Sequence, residues 1–407
     1  MSSTSTTTRL PASVYVIALT IFCLGTSEFM IAGLLPDLAA DLDVSIPSAG
    51  SLISAFAVGM LVGAPVMALL TLRFPRRRTL LVACVVFAAA HLVGTFSTDY
   101  GLLLATRIVA AAACATFWAV GSVTAVSVAP AGSTAKALSV VLGGLTLANV
   151  LGVPAGTWIG ERLGWQSAFA AVGVLTVLAT VATALLVPET GGGTGAVPMR
   201  DRICAELAVF RQSRLWAALA TTMTFQAAVF CAFSYFAPLL TDVAGLPSSR
   251  VPLVLLVFGV GTFVGITIGG RYADRNALLN VFVSLGAMSV SLVALAAVAG
   301  SSTLVVAAVF VFGVASFSIA SAINSRVFAL ATQAPTLAAA VNVSAFNVGN
   351  AVGPWIGGLA ISAGLGYVAP VWFALGLTAL ALGCASVSWV LEREPGCDTA
   401  ACVTAPS

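Results

Sequence analysis

Side chains able to do chemistry are scarce in this chain: 14 acidic residues, 17 basic residues and one histidine among 407. Thirteen of the acids fall in loops, tails or helix ends, and Glu28, in the stretch LGTSEFMIAG, alone lies deep in an apolar run. A carboxylate at such depth costs about 3 kcal/mol on insertion scales, so it is protonated, partnered or used. Burial disfavours the charged form of a carboxyl group, and a group held that way exchanges a proton in the physiological range. Arg107 is the one basic residue inside an apolar run, and His91 sits in another. At 1.5 Å per residue, Glu28 lies about 10 Å and Arg107 about 9 Å below the outer ends of their helices, with His91 at similar depth. Two readings follow. Glu28 is a proton-coupling group with Arg107 as its counter-charge, and Asp37, nearer the outer end, is a second acid able to share the proton; or Glu28 and Arg107 form a fixed ion pair between helices. His91 reads as a satisfied packing histidine, with a proton relay as the alternative.

Other chemistries are missing. No Walker lysine motif, glycine-rich phosphate loop or Cys/His metal spacing occurs, so ATP-driven transport by this chain alone is excluded and no metal or cofactor is expected. Cys23, Cys84, Cys114, Cys231 and Cys384 lie singly in apolar runs and read as small packing residues, while Cys397 and Cys402 fall in a polar tail expected to be reduced and disordered. A membrane enzyme is disfavoured because Glu28, Arg107 and His91 are the only strong acid-base groups buried in the membrane. A net charge of +3, thinly spread, points to no nucleic-acid partner.

The elements that carry these residues are membrane spans. The chain is 60% hydrophobic and only 8% charged, with a mean hydropathy of +1.09, where a soluble domain carries roughly a quarter charged residues. Apolar runs of bilayer length predict an all-α membrane protein of twelve spans near 14–35, 48–72, 79–97, 101–128, 134–160, 165–188, 215–241, 251–271, 277–299, 302–328, 335–364 and 367–391. No cleavable signal pattern precedes the first span, which is expected to stay in place. The expected organisation is a cytoplasmic tail over 1–13, a six-helix bundle over 14–188, a cytoplasmic linker over 189–214, a second six-helix bundle over 215–391 and a cytoplasmic tail over 392–407. With both ends inside, only Arg162 and Arg250 of the 17 basic residues fall outside, as the retention of Lys and Arg in cytoplasmic loops requires.

The halves repeat. Phe56, Gly59 and Gly63 in FAVGMLVG recur as Phe258, Gly261 and Gly265 in FGVGTFVG, and Pro36 and Arg73 recur as Pro238 and Arg275. Asn149 and Gly152 recur at nearly the same offset as Asn350 and Gly353. Internal repeats of this length are what two bundles rocking about a central site need. Glu28 maps onto Phe230 and Arg107 onto Val309, so the ionisable pair belongs to one half alone.

GGLTLANVLGVPAGTWIG in the fifth span sets Gly152, Pro154 and Gly156 at close-packing spacing, and NVGNAVGPWIGG in the eleventh repeats it with Gly353 and Pro354. These read either as generic helix packing or as a hinge and a seal against proton leak. FQAAVFCAFSYF in the seventh span offers Gln226, Phe230, Phe233 and Tyr235, and the fourth offers Phe117. With Glu28 and Asn149 they suit a cavity for an amphipathic, largely uncharged ligand, though lipid-facing aromatics follow the same pattern.

Over essentially the whole chain these residues resemble the major facilitator superfamily, in its twelve-helix drug:proton antiporter branch. After the second span, ALLTLRFPRRR is a degraded copy of the family pattern G-x-L-x-D-R-x-G-R-R, with Arg73 and Arg76 matching and Leu72 in place of the usual Asp. The second copy, GGRYADRN, keeps Asp274 and Arg275. The resemblance implies a gating role for these four and a part in proton transfer for Arg107. Gly152, Pro154 and Gly156 resemble the fifth-helix antiporter motif, which implies export. GTSEFMIAGLLPDLAADL resembles the first helix of bacterial sugar, purine and drug exporters, in which the acidic residue is tied to proton or substrate binding, and with SAFAVGMLVGAPVMALL and PRRR it is similar to actinomycete chloramphenicol exporters. The implied fold is two pseudo-symmetric six-helix bundles. The implied function is proton-coupled efflux of a small amphipathic drug, chloramphenicol or a related phenicol, from a bacterial plasma membrane, by a monomer whose partners are drug, protons and lipid bilayer. A sugar or nucleoside exporter is the alternative within transport, and a binding-only receptor the alternative outside it.

Overall fold

The computed structural model describes residues 10–71, 74–130, 133–189, 212–273, 275–330 and 335–393. Arg73, Asp274, the linker residues 190–211 and the tails over 1–9 and 394–407, with Cys397 and Cys402, lie outside the described residues.

Every regular element among the described residues is helical. They are α1 (Ala12–Asp41), α2 (Ile46–Thr71), α3 (Arg76–Thr95) and α4 (Tyr100–Val128). Next come α5, as Thr134–Leu147, a π-helical turn Ala148–Gly152 and Val153–Leu163, and α6 (Trp165–Leu186). Then follow α7 (Ser213–Phe233, continued by Phe236–Pro238 and a π turn Leu239–Val243), α8 (Val251–Ala273), α9 (Ala277–Val298) and α10 (Leu304–Phe317 and Ala320–Leu330). The last are α11 (Pro335–Ser362) and α12 (Ala369–Arg393). Eleven of them are long and apolar enough to cross a membrane, and α11, 28 residues long, packs among them against α2, α7 and α12. Apolar length without water leaves the helix as the spanning form that satisfies every backbone group internally.

Packing follows the small residues. A Cβ on Gly59 of α2 would lie 2.7 Å from Ala111 Cβ of α4, and one on Gly261 of α8 would lie 2.6 Å from the Phe310 carbonyl oxygen of α10. The repeated glycines thus do the same work in both halves, drawing α2 onto α4 and α8 onto α10. Helix α1 touches α2, α4, α5 and α6 and is 83% buried over its apolar window, against 28% for α12, so the helix carrying Glu28 is central and α12 faces outward.

The halves meet where α2 lies on α11, α5 on α8 and α1 on the end of α7. Ser54 Oγ of α2 donates to the Ala351 carbonyl of α11 at 2.7 Å. Tyr235 wedges between Gly50 and Gly358 and donates to the Pro354 carbonyl at 2.7 Å. Gly33 of α1 closes on Thr157 of α5 and Leu255 of α8, and Ser248 reaches Glu161 at 3.3 Å. The contacts of Tyr235, Gly33 and Ser248 lie toward the C-terminal end of α1 from Glu28.

Candidate functional site

Glu28 sits near the middle of α1 and is buried. Its Oε1 accepts from Asn350 Nδ2 of α11 at 3.4 Å, and Asn350 Oδ1 accepts from Gln226 Nε2 of α7 at 2.8 Å. Three helices, two of them in the opposite half, thus converge on the one deep carboxyl group. The ring of Phe29, the next residue of α1, packs on Phe230 of α7 with centroids 5.5 Å apart.

Arg107 is fully buried on α4 and takes hold of the residue before Glu28: Nη1 donates to Ser27 Oγ at 2.7 Å and Nη2 to the Ser27 carbonyl at 2.9 Å. Its guanidinium carbon stands 4.3 Å from the ring centroid of Phe56, a cation–π contact away from water. Glu28 and Arg107 act on each other electrostatically, yet the ion pair among the described residues is Arg326–Glu392, between α10 and α12. The reading of a fixed Glu28–Arg107 bridge is therefore corrected: α1 and α4 are joined through Ser27, and the carboxylate is left for Asn350.

His91 of α3 completes the cluster, with Nε2 2.6 Å from Ser27 Oγ and Nδ1 2.9 Å from the Phe87 carbonyl. That carbonyl can only accept, so Nδ1 carries the proton. Ser27 Oγ already accepts from Arg107 and gives its own proton to Nε2. In this arrangement both ring nitrogens are bonded, and the ring stacks 4.2 Å from Phe87. This geometry packs the ring and orients Ser27.

The remaining expected residues are dispersed. Asp37 is exposed on α1, about 13 Å along the axis from Glu28, and its electrostatic neighbour is Glu161, so Asp37 and Glu28 lie in different surroundings. Phe117 is fully buried on α4. Asn149 lies in the π turn of α5 and spends its Nδ2 on Leu145 of its own helix. Its backbone carbonyl abuts Gly259 of α8. Phe233 stacks on Phe258 at 4.9 Å within an aromatic cluster of the second half, and Tyr235 belongs to the contact of α7 with α2 and α11. Gly152 and Gly156 oppose Thr26 and Met30 of α1, and Gly353 opposes Phe230 and Cys231 of α7. Pro154, at the start of the helix after the π turn, lines an apolar groove of about 330 Å³ between α5 and α8, with Trp158 and Pro252. None of the residues expected to contact substrate lines that groove. Arg76 opens α3, and Arg275 sits in the turn after α8, where its N–H bonds the Tyr272 carbonyl. Next to Arg76, Arg77 donates to the Ala184 carbonyl of α6.

Ser27 and Asn350 are the residues that sequence reasoning passed over. Asn350 carried a signal, as the repeat mate of Asn149, but the repeat relation implied a shared role and the two amides do different work. Ser27 carried none beyond its place next to Glu28.

A family model described as Major Facilitator Superfamily matches residues 17–343. The chain is 40% identical over 376 residues to a chloramphenicol resistance protein of Streptomyces lividans, covering 92% of this chain and 95% of that one. It is 39% identical over 353 residues to the inner membrane transport protein YdhP of Escherichia coli K12, covering 86% and 89%. Among solved structures, a bacterial homologue of the human lysosomal transporter Spinster, in an inward-facing and unoccupied conformation, matches with a TM-score of 0.73 at 18% identity, over 95% of this chain and 98% of that one. That last likeness bears on the fold alone.

Proposed function

Because the chain belongs to the Major Facilitator Superfamily and so is a multi-pass membrane transporter, we propose that it exports a small amphipathic drug, chloramphenicol or a related phenicol, in exchange for protons taken up at Glu28. The observation that carries this reading is the deep carboxyl group of Glu28, bonded across the two halves by Asn350 and lying next to the Ser27 that Arg107 holds. An intramembrane ionisable group facing a bundle interior marks an ion pathway. The name of the Streptomyces relative supplies the substrate class, and the aromatic pair Phe29–Phe230 beside the carboxyl group suits a ring-bearing guest.

In this reading, the protein works as a monomer in a bacterial plasma membrane with both termini cytoplasmic, the two six-helix bundles rock about the level of Glu28, and no covalent chemistry is done. Drug and proton compete at the carboxyl group. Drug enters from the inner side with Glu28 ionised, and arrival of a proton from the outer side releases it. One pH unit supplies about 1.4 kcal/mol per proton, and 100 mV acting on one charge about 2.3 kcal/mol, enough for one proton per cycle to sustain an appreciable drug gradient.

The test is chloramphenicol uptake into inside-out vesicles under an imposed pH gradient. Uptake is expected in the native protein, to collapse with uncoupler and to be lost in Glu28→Gln. Failure of the native protein to accumulate the drug under the gradient sinks the phenicol reading and moves the substrate to sugars and nucleosides.

A further inference from the structure

The bond across the halves has a direction. Gln226 Nε2 donates to Asn350 Oδ1, and Asn350 Nδ2 donates to Glu28 Oε1. In this arrangement, Glu28 accepts, which an ionised carboxylate does with every lone pair, and Gln226 Oε1 is left buried with no partner. A buried acceptor without a donor is costly, and native structures keep few of them. Gly349 of α11 brings the two amides this close: a Cβ there would lie 2.5 Å from Gln226 Cβ.

The same three side chains have a second self-consistent arrangement. With a proton on Glu28, its O–H donates to Asn350 Oδ1. The Asn350 and Gln226 amides both turn end for end, so that Asn350 Nδ2 donates to Gln226 Oε1 and Gln226 Nε2 moves to the place where Oε1 stood without a partner. Nothing else near the carboxyl group competes for this role. The titratable and charged groups that face Glu28 are Arg107 and Cys114 of α4, with His91 of α3 reached through Ser27. Helix α2 carries no ionisable residue, and α5 and α8 carry theirs only near their ends. On α7, Cys231 and Tyr235 are bonded to the Pro370 and Pro354 carbonyls, and α11 presents only amides.

We infer that Asn350 and Gln226 form a two-position amide switch through which the proton on Glu28, in the first half, is read by α7 and α11 of the second, so that protonation changes how the halves are held together. Asn350 is a positioning residue in this scheme and not a proton carrier: the proton stays on the Glu28 oxygen that receives it. The inference rests on the reading of Glu28 as the coupling group.

The experiment measures the distance between genetically encoded spin-label amino acids at the exposed positions Phe96 and Leu365, one in each half, in bilayer discs at mildly acidic and mildly alkaline pH. In the otherwise native protein, the ratio of the two distance populations is expected to move by ~10-fold with pH, and in Asn350→Leu by less than ~2-fold. Gln226→Met, close to the native side chain in size, is expected to behave like Asn350→Leu and serves as the second variant where the first does not fold. If the amide variants move as far as the native protein while Glu28→Gln is silent, the switch is overturned and Glu28 survives as the sensor. If the native populations ignore pH, or Glu28→Gln responds as the native protein does, the reading of Glu28 and the switch built on it both fall.

Discussion

Ser27 is the smallest member of the buried cluster and the one on which the others depend. Its hydroxyl accepts from Arg107 and donates to His91, and its carbonyl takes the second arm of the guanidinium. Ser27→Ala removes one bond to a charged donor, worth about 1.5–3 kcal/mol, and leaves His91 Nε2 unpaired, so a lower melting temperature is expected together with a fall in gradient-driven transport. Arg107→Lys keeps the charge but not the planar fork that reaches Ser27 twice while lying over Phe56; vesicle uptake is expected to drop by at least ~10-fold, since an Arg–Lys exchange at a bidentate, stacked site is not conservative. His91→Phe is the contrasting case. The ring is bonded at both nitrogens and stacked on Phe87; acting by packing, it leaves the shape of the pH profile of transport expected to survive this substitution even where the rate falls, and a profile that loses its pH dependence would favour His91 as a relay.

Among the helices, glycine is informative according to what a side chain there would strike. Gly143 faces open space, so Gly143→Ala is expected to be neutral or to stabilise by up to ~1 kcal/mol through helix propensity. Gly261→Ala would press on the Phe310 carbonyl, a backbone atom that cannot turn aside, and is expected to lower the melting temperature in detergent markedly. Gly156→Ala meets only the Met30 side chain at 3.1 Å and is expected to fall between the two. This ordering shows what could be read before any coordinates. Spans announce themselves through apolar length, and FAVGMLVG and FGVGTFVG announce the α2–α4 and α8–α10 contacts through spacing, because both signals are local. The π turn over Ala148–Gly152 was not legible, since it depends on how Pro154 is accommodated against α1 and α8. Nor was the Asn350–Glu28 bond, which joins residues 322 positions apart and is set by the rotation of α11 about its axis, a tertiary outcome that no periodicity records. Residue type along α7 likewise cannot say that Phe230 and Phe233, packed edge to face at 5.7 Å, turn the one toward Phe29 of α1 and the other toward Phe258 of α8.

Seen as one molecule, the protein has a closure beyond Glu28 that joins α2 to α11, and in the proposed cycle the strength of that closure sets the balance between two orientations. Part of it is a single hydrogen bond, from Ser54 of α2 to the Ala351 carbonyl of α11, next in sequence to Asn350. Removing it in Ser54→Ala forgoes about 1 kcal/mol of net stabilisation in the closed state and nothing in a state where α2 and α11 have parted, so the population with this side open is expected to rise by roughly 5-fold. Gly50→Val acts more strongly in the same direction, because even a Cβ at that position would sit 2.5 Å from the Tyr235 hydroxyl and 3.1 Å from its ring. The check is the rate at which a membrane-impermeant thiol reagent modifies a cysteine placed at Pro47, beside Gly358 in the closure. Both variants are expected to speed modification, Gly50→Val more than Ser54→Ala. A bond that merely decorated a permanently sealed face would leave the rate unchanged. Because a transporter must return through each orientation once per cycle, a closure weakened this far is expected to slow net turnover even as access increases, so reagent access and transport should move in opposite directions across the pair of variants.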